Sequence, residues 1–438
     1  MSDDHEKEEE PLLRRASRHI INDEATRIHS TASLSSLVDV KIDKLANVPE
    51  VIMNTFKSFV GSGILGLPYG FSKGGWVLSL IAFPLASLVA GFCMMDLVAS
   101  KIYKGSHLIR TYADCGREAF GNIGIWMVQI TLISYQLGCC CSYMLIITQN
   151  LELLVPAIRQ EYWVCIMVAL FFIMSFIRSL KVTAILSLLA NISLLVALIL
   201  LIVGVILGGV KVGEPKAVNF RGFPAFFGIV LFAFEGAGLV LPIQGSMAKP
   251  KHYGKSLVFV LILVCLMNSM FGFINYWFLC ENTPELITKS ISDKYIVLRS
   301  IVTVFLVATL IVSFHLLAFP VFEAFDELKS MRRMKRRKPM KFWLLAYLAR
   351  FLIICFTAIP SVTPLKSHFP AFVGLVGATF GSFLAFILPP LLHLKICWKG
   401  GSSVARKVID IVVLCIMIPA SIFVTVISVI DLVDTLKH

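Results

Sequence analysis

Two apolar stretches interrupted by glycine hold the residues best placed to bind a small polar molecule. The first reads Val60-Gly61-Ser62-Gly63-Ile64-Leu65-Gly66-Leu67-Pro68, and the second reads Glu235-Gly236-Ala237-Gly238-Leu239-Val240-Leu241-Pro242. Both run Gly-small-Gly, two branched apolar residues, then Leu-Pro. Glycine weakens a helix by about 1 kcal/mol relative to alanine and proline removes a backbone donor, so each stretch is predicted to be an unwound helix. The freed backbone is then available for binding. Amide groups at a half-helix N-terminus attract a carboxylate, and unwound carbonyls meet an ammonium group or a cation. A zwitterion such as an amino acid offers both charges. Candidate substrate-binding residues are Val60, Gly61, Ser62, Gly63 and Ile64 at the first break, and Phe232, Phe234, Glu235, Gly236, Ala237 and Gly238 at the second. Gly-x-Gly also lets helices pack closely, which is the competing reading.

Ionisable groups inside apolar segments are costly and point to function. Glu235, at the second break, is a candidate proton carrier or an anchor that shapes the cavity; the alternative is an acid that caps the edge of the break. His315, within Ser313-Phe314-His315-Leu316, could titrate in an acidic compartment or serve as a neutral hydrogen-bonding residue. Thr309 and Ser313 lie one turn apart on the same helix and are further coupling candidates, although such hydroxyls also bond back to their own helix. Arg350 is expected to snorkel to the interface, and Asp96 to mark the end of its helix.

The elements that carry these residues follow from hydropathy. With 57% hydrophobic and 15% charged residues and a mean hydropathy of +0.83, the chain has more apolar surface than a soluble core can use. A bilayer core needs roughly 20 apolar residues per helical crossing. Stretches of about that length occur at 51–70, 75–99, 120–149, 162–178, 183–208, 222–243, 256–279, 299–321, 344–362, 371–394 and 408–433. They are continuously apolar rather than alternating, which predicts eleven transmembrane helices and excludes a barrel. The two breaks lie 175 positions and five helices apart. An odd-numbered unit re-enters the membrane from the opposite side, so the repeat is inverted. Residues 45–215 form the first five-helix repeat, 216–400 the second, and 401–438 an eleventh helix with a short lumenal C-terminus. Matching broken helices in two halves are the sequence mark of a transporter site near the midplane.

The net charge of +13 is distributed by loop. Loops on the side of the N-terminus carry about twice as many Lys and Arg as the opposite ones, with the run 332–338 the densest. This places the N-terminus in the cytosol and the C-terminus across the membrane. With no recognition motif beside the basic run, a nucleic-acid partner is excluded; the run serves the lipid bilayer as a topology anchor. The eleven cysteines lack zinc-site spacing, and only Cys280 is expected at the far surface. No metal-ligand cluster, catalytic dyad or paired intramembrane acids stand out, so neither an enzyme nor a metal or other cofactor is expected. Residues 1–44 form a polar tail, expected to be disordered, cytosolic and not a cleavable signal. Within it, Glu8, Leu12 and Leu13 fit an acidic dileucine pattern that sorting adaptors read, and Arg14-Arg15-Ala16-Ser17 fits a basophilic kinase site.

The segment Gly61-Ser62-Gly63-Ile64-Leu65-Gly66-Leu67-Pro68-Tyr69, continued by Phe71-Ser72-Lys73-Gly74-Gly75-Trp76, resembles the first helix of the amino acid/auxin permease family. Its vacuolar amino-acid transporters are the most similar, then its proton-assisted ones. Gly91-Phe92-Cys93-Met94-Met95, Ser187-Leu188-Leu189-Ala190-Asn191 and Phe232 to Pro242 agree, and the similarity covers roughly 45 to 435. The resemblance implies a LeuT-type fold of inverted 5+5 helices plus one. It also implies alternating access around the two broken helices and proton-coupled symport. One departure concerns the proton. The animal proton-assisted members carry a histidine where this chain has Asn54, so the plant-type vacuolar members are the better guide. The expected function is export of small neutral amino acids from an acidic vacuole or lysosome. The rivals are uptake at the plasma membrane and an amino-acid sensor or scaffold that transports little.

Overall fold

The computed structural model describes residues 46–105, 108–176, 180–208, 213–326 and 329–437. The tail residues Glu8, Leu12, Leu13 and Ser17 lie outside the described residues, as does the side chain of Glu235. The described chain is helical, and its one extended contact is an isolated parallel bridge between Ala46 and Met247. Among the described residues, nine helices are long and apolar enough to cross a membrane.

The first apolar stretch is two helices, α1 (Val48–Phe59) and α2 (Gly63–Gly74). Val60 ends α1 in an extended conformation, and α2 restarts three residues later. The chain then turns a tight corner at Gly75, whose φ of 82° favours glycine, into α3 (Trp76–Lys104). Next come α4 (Tyr112–Leu154), bent at Phe120 and Gly121, the 15-residue α5 (Gln160–Met174), and α6 (Leu180–Leu207). The sixth stretch is again split. Here α7 (Phe223–Phe232) is followed by a 3₁₀ turn, Glu235–Leu239, and then by α8 (Val240–Ser246). Helices α9 (Tyr253–Leu279), α10 (Ile296–Asp326), the basic α11 (Lys329–Arg337) and α12 (Pro339–Val362) lead to a third irregular helix. It begins as α13 (Phe369–Val376), widens to π geometry over Gly377–Gly381 and Phe383–Ile387, and ends as α14 (Leu388–Cys397). Helix α15 (Val404–Lys437) completes the chain.

Burial has the sense expected of a lipid solvent. Ile81, Leu85 and Leu88 on α3, and Leu344, Leu348 and Leu352 on α12, form exposed apolar rows at helical spacing. The interior, by contrast, holds tyrosines, hydroxyls and ionisable groups. Closing backbone bonds within each helix satisfies the demand that no polar main-chain group face hydrocarbon. The face where α1 starts is called the near face below, and the face where α2 ends the far face. Cys280, expected at the far surface, is instead buried, its thiol donating to the Gly213 carbonyl at 3.3 Å, because the loop before α7 folds over it.

Candidate binding site at the paired helix breaks

The two breaks come together and share one set of partners. At the first, the Ser62 amide donates to the Tyr143 hydroxyl at 3.2 Å. At the second, the Tyr135 hydroxyl donates to the Phe232 carbonyl at 2.7 Å. Eight residues is just over two helical turns, so these tyrosines lie on one face of α4 and serve one break each. Sequence reasoning missed them. Their signal was two hydroxyl-bearing rings at helical spacing in an otherwise apolar segment.

Ser62 Oγ is buried with no hydrogen-bond partner among the described residues, and no side chain caps the N-terminus of α2. Unused donors therefore gather at the first break. Val60, Gly63, Ile64, Phe232, Phe234, Gly236, Ala237 and Gly238 are buried around the two breaks, with Gly61 half-buried. The Phe234 ring stacks on Phe83 at 6.0 Å and meets Phe386 edge-on at 5.5 Å, which joins the second break to α3 and to the π segment.

The glycines also carry packing. A Cβ on Gly63 would approach Ala233 Cα to 2.9 Å, and one on Gly236 would approach the Ser58 carbonyl to 2.8 Å. Close approach of α2 to the end of α7 thus accounts for Gly63, and close approach of the 3₁₀ turn to α1 for Gly236, as directly as a ligand does. Apart from Glu235, the coupling candidates share one helix. Thr309, Ser313 and His315 sit on α10, which packs chiefly on α6 and α4. The Thr309 hydroxyl donates to the Ala190 carbonyl at 3.0 Å, Ser313 is half-buried and His315 buried.

At the far face a cavity of about 600 Å³ is bordered by Gln149, Glu152, Gln160, Glu285, Lys289 and Lys366. Partial burial raises the Glu285 carboxyl to about 7, against the opposing charges of Lys73 and Lys289. Both signs of charge line this mouth. At the near face the Lys101 ammonium is buried and donates to the Leu241 carbonyl at 3.1 Å, anchoring α8 to α3.

Three expectations need correction. Arg350 does not snorkel into solvent: it is buried at the middle of α12, pairing with Asp326 at the end of α10 at 2.6 Å and donating to the Ser175 carbonyl, just past α5, at 2.8 Å. Asp96 does not simply mark a helix end, and paired intramembrane acids do occur. Asp96, His393 and Asp410, on three helices, place ligand atoms within 4.8 Å of one another. His393 and Asp410 were legible as ionisable residues in the tenth and eleventh apolar stretches, but their meeting with Asp96 is tertiary.

Comparison with known proteins adds the family. Residues 45–431 match the model for transmembrane amino acid transporter protein. The chain is 29% identical over 389 residues to amino acid transporter AVT3A of Arabidopsis thaliana, covering 85% of this chain and 87% of that one. It is 30% identical over 382 residues to AVT3B of the same plant, covering 82% and 88%. Vacuolar amino acid transporter 3 of Saccharomyces cerevisiae is 27% identical, over 83% of this chain and 54% of its own length.

Proposed function

This chain belongs to the transmembrane amino acid transporter family, whose members are transporters rather than enzymes, and on that premise we propose a secondary active transporter of small neutral amino acids. The cargo is driven by protons from an acidic vacuole or lysosome to the cytosol. The observation that carries the binding reading is the buried, unpartnered Ser62 hydroxyl at a helix break whose amide is held by Tyr143. A carboxylate at the start of α2 would meet Ser62 and the first-turn amides, while an ammonium group would meet carbonyls at the ends of α1 and α7. Buried aromatic rings around Phe234 favour a short apolar side chain over a charged one.

The architecture proposed is eleven crossings in a LeuT-type arrangement, 45–215 and 216–400 being inverted repeats. Counting α1 with α2 as one crossing and α5 as another raises the nine long helices to that number. In support, Lys366 pairs with Glu161 at the start of α5, at the far face, and Arg350 holds the Ser175 carbonyl just past its end, at the near face. Vacuolar residence is supported by the names of the relatives.

Uptake of a panel of labelled amino acids into proteoliposomes, with and without an imposed pH gradient, tests the reading. Small neutral amino acids are expected to accumulate only with the gradient; a folded protein that moves none of the panel overturns it. Glu235→Gln vesicles separate the proton carrier from the cavity wall, since an amide has no proton to exchange: full pH-driven uptake by them removes Glu235 as the carrier.

A further inference from the structure

At the near face, Asp96 of α3, His393 of α14, and Arg406 and Asp410 of α15 form a cluster remote in sequence from the breaks. His393 Nδ1 lies 2.6 Å from Asp410 Oδ2 and 3.5 Å from Asp96 Oδ1, and Arg406 Nε donates to Asp96 Oδ1 at 2.7 Å. Asp96, His393 and Asp410 are 0% exposed. Asp96 Oδ2, Asp410 Oδ1 and His393 Nε2 have no hydrogen-bond partner among the described residues.

Two carboxylates against one guanidinium leave a net negative charge in a buried place, which is strongly unfavourable. Among the described residues no neighbouring group supplies the balance. On α3, Lys101 turns to the Leu241 carbonyl, Lys104 pairs with Glu118, and Cys93 offers a neutral thiol to the Phe386 carbonyl. On α4, Tyr112 donates to the Leu384 carbonyl, Arg117 pairs with Asp114, and Cys115 and the α14 residue Cys397 are buried thiols. Lys395 lies over the Phe120 ring, and Lys407 donates to the Trp398 carbonyl. One added proton, on His393 or shared with Asp410 across their 2.6 Å contact, brings the cluster to zero.

We propose that Asp96, His393, Asp410 and Arg406 form a buried site for a single exchangeable proton, which joins α3, α14 and α15 at the near face. A divalent cation on the same three ligand atoms would overshoot to a net positive charge beside Arg406, so the proton is the better occupant. The site also touches the route to the second break. Phe386, two helical turns before His393, carries the ring that meets Phe234 and the carbonyl that accepts from Cys93. That link to transport rests on the proposed function, whereas proton binding does not.

The test compares melting temperature with pH for the purified full chain and for Asp410→Asn, across roughly pH 5 to 8 where histidine titrates. In the variant the cluster is neutral without a proton. Wild type must lose stability relative to the variant as pH rises, because only its folded state needs the proton. The difference in melting temperature is expected to widen by about 2 °C or more over that range. Asp96→Asn makes the same charge change and must give the same widening if Asp410→Asn does not fold. Parallel curves, offset by a constant, would mean an ordinary buried ion pair and overturn the proposal. A zinc-induced rise in melting temperature that disappears in Asp410→Asn would overturn it in favour of a metal. Amino-acid flux measured alongside keeps the two readings apart: flux with parallel curves rejects the proton site alone, and widening without flux upholds it while rejecting transport.

Discussion

A buried hydroxyl without a partner costs a fold roughly 1–3 kcal/mol, and Ser62 Oγ is such a group at the first break. Ser62→Ala is therefore expected to leave the melting temperature of the ligand-free protein unchanged or higher. Amino-acid affinity should fall by roughly 10- to 150-fold, the equivalent of one hydrogen bond to a charged group at about 1.5–3 kcal/mol. Thermal-shift titration reads both quantities, and unaltered affinity would remove Ser62 from the site. At the far face, Glu285 binds its proton more tightly in the fold than in the unfolded chain, with an ordinary value of 4.5 raised to about 7. Its sign is the reverse of a salt-bridged acid: the fold loses stability as pH rises through that interval. Glu285→Gln should match wild type below 4.5 and exceed it above 7, while Lys289 continues to border the cavity. Melting curves at the two ends of the interval that show no crossing into advantage would contradict the assignment.

At the scale of elements, the breaks depend on how closely α2 and α7 approach. Gly63→Ala introduces a methyl 2.9 Å from Ala233 Cα, a backbone atom that cannot rotate away. Such overpacking costs about 1–3 kcal/mol, so the variant is expected to melt earlier even without ligand, and a valine there to be worse. An unchanged melting temperature would show that the helices have room to part. Both breaks were legible in the sequence because Gly-x-Gly is a local cause of unwinding, whereas the Leu-Pro that follows lies within the restarted helix each time. The partners of the freed groups were not legible. Tyr135 and Tyr143 are ordinary residues until α4 turns one face toward both breaks, and Asp96 meets His393 and Asp410 only when α3 packs on α14 and α15. The π segment after α13 was likewise hidden. Its cause is tertiary, since Gly377 packs against the Gly228 carbonyl and Phe232 of α7, a contact no local pattern announces.

For the whole molecule, hydropathy located all nine long apolar helices found among the described residues, because lipid exposure constrains composition over some 20 residues at a time. It could not say that α5 would be only 15 residues long. The charge asymmetry gives a topological expectation: tags at residue 2 and within 330–338 should be cytosolic, and a tag after His438 lumenal. Protease protection that finds both termini on one side would refute eleven crossings. One feature of the far face bears on how the molecule can open. The loop after α6 is stitched across the Gly75 corner, with Trp76 and Val77 amides donating to the Lys216 and Ala217 carbonyls at 3.0 Å and the Asn219 amide to Gly74 at 2.9 Å. Gly222, at the start of α7, lies directly on the Lys73 carbonyl that ends α2. The two broken helices are thus splinted at their outer ends by main chain, not by side chains that could rotate aside. Prying α2 away from α7 at that face must rupture the splint, whereas swinging the pair as a single lever against α4 leaves all three of those bonds intact.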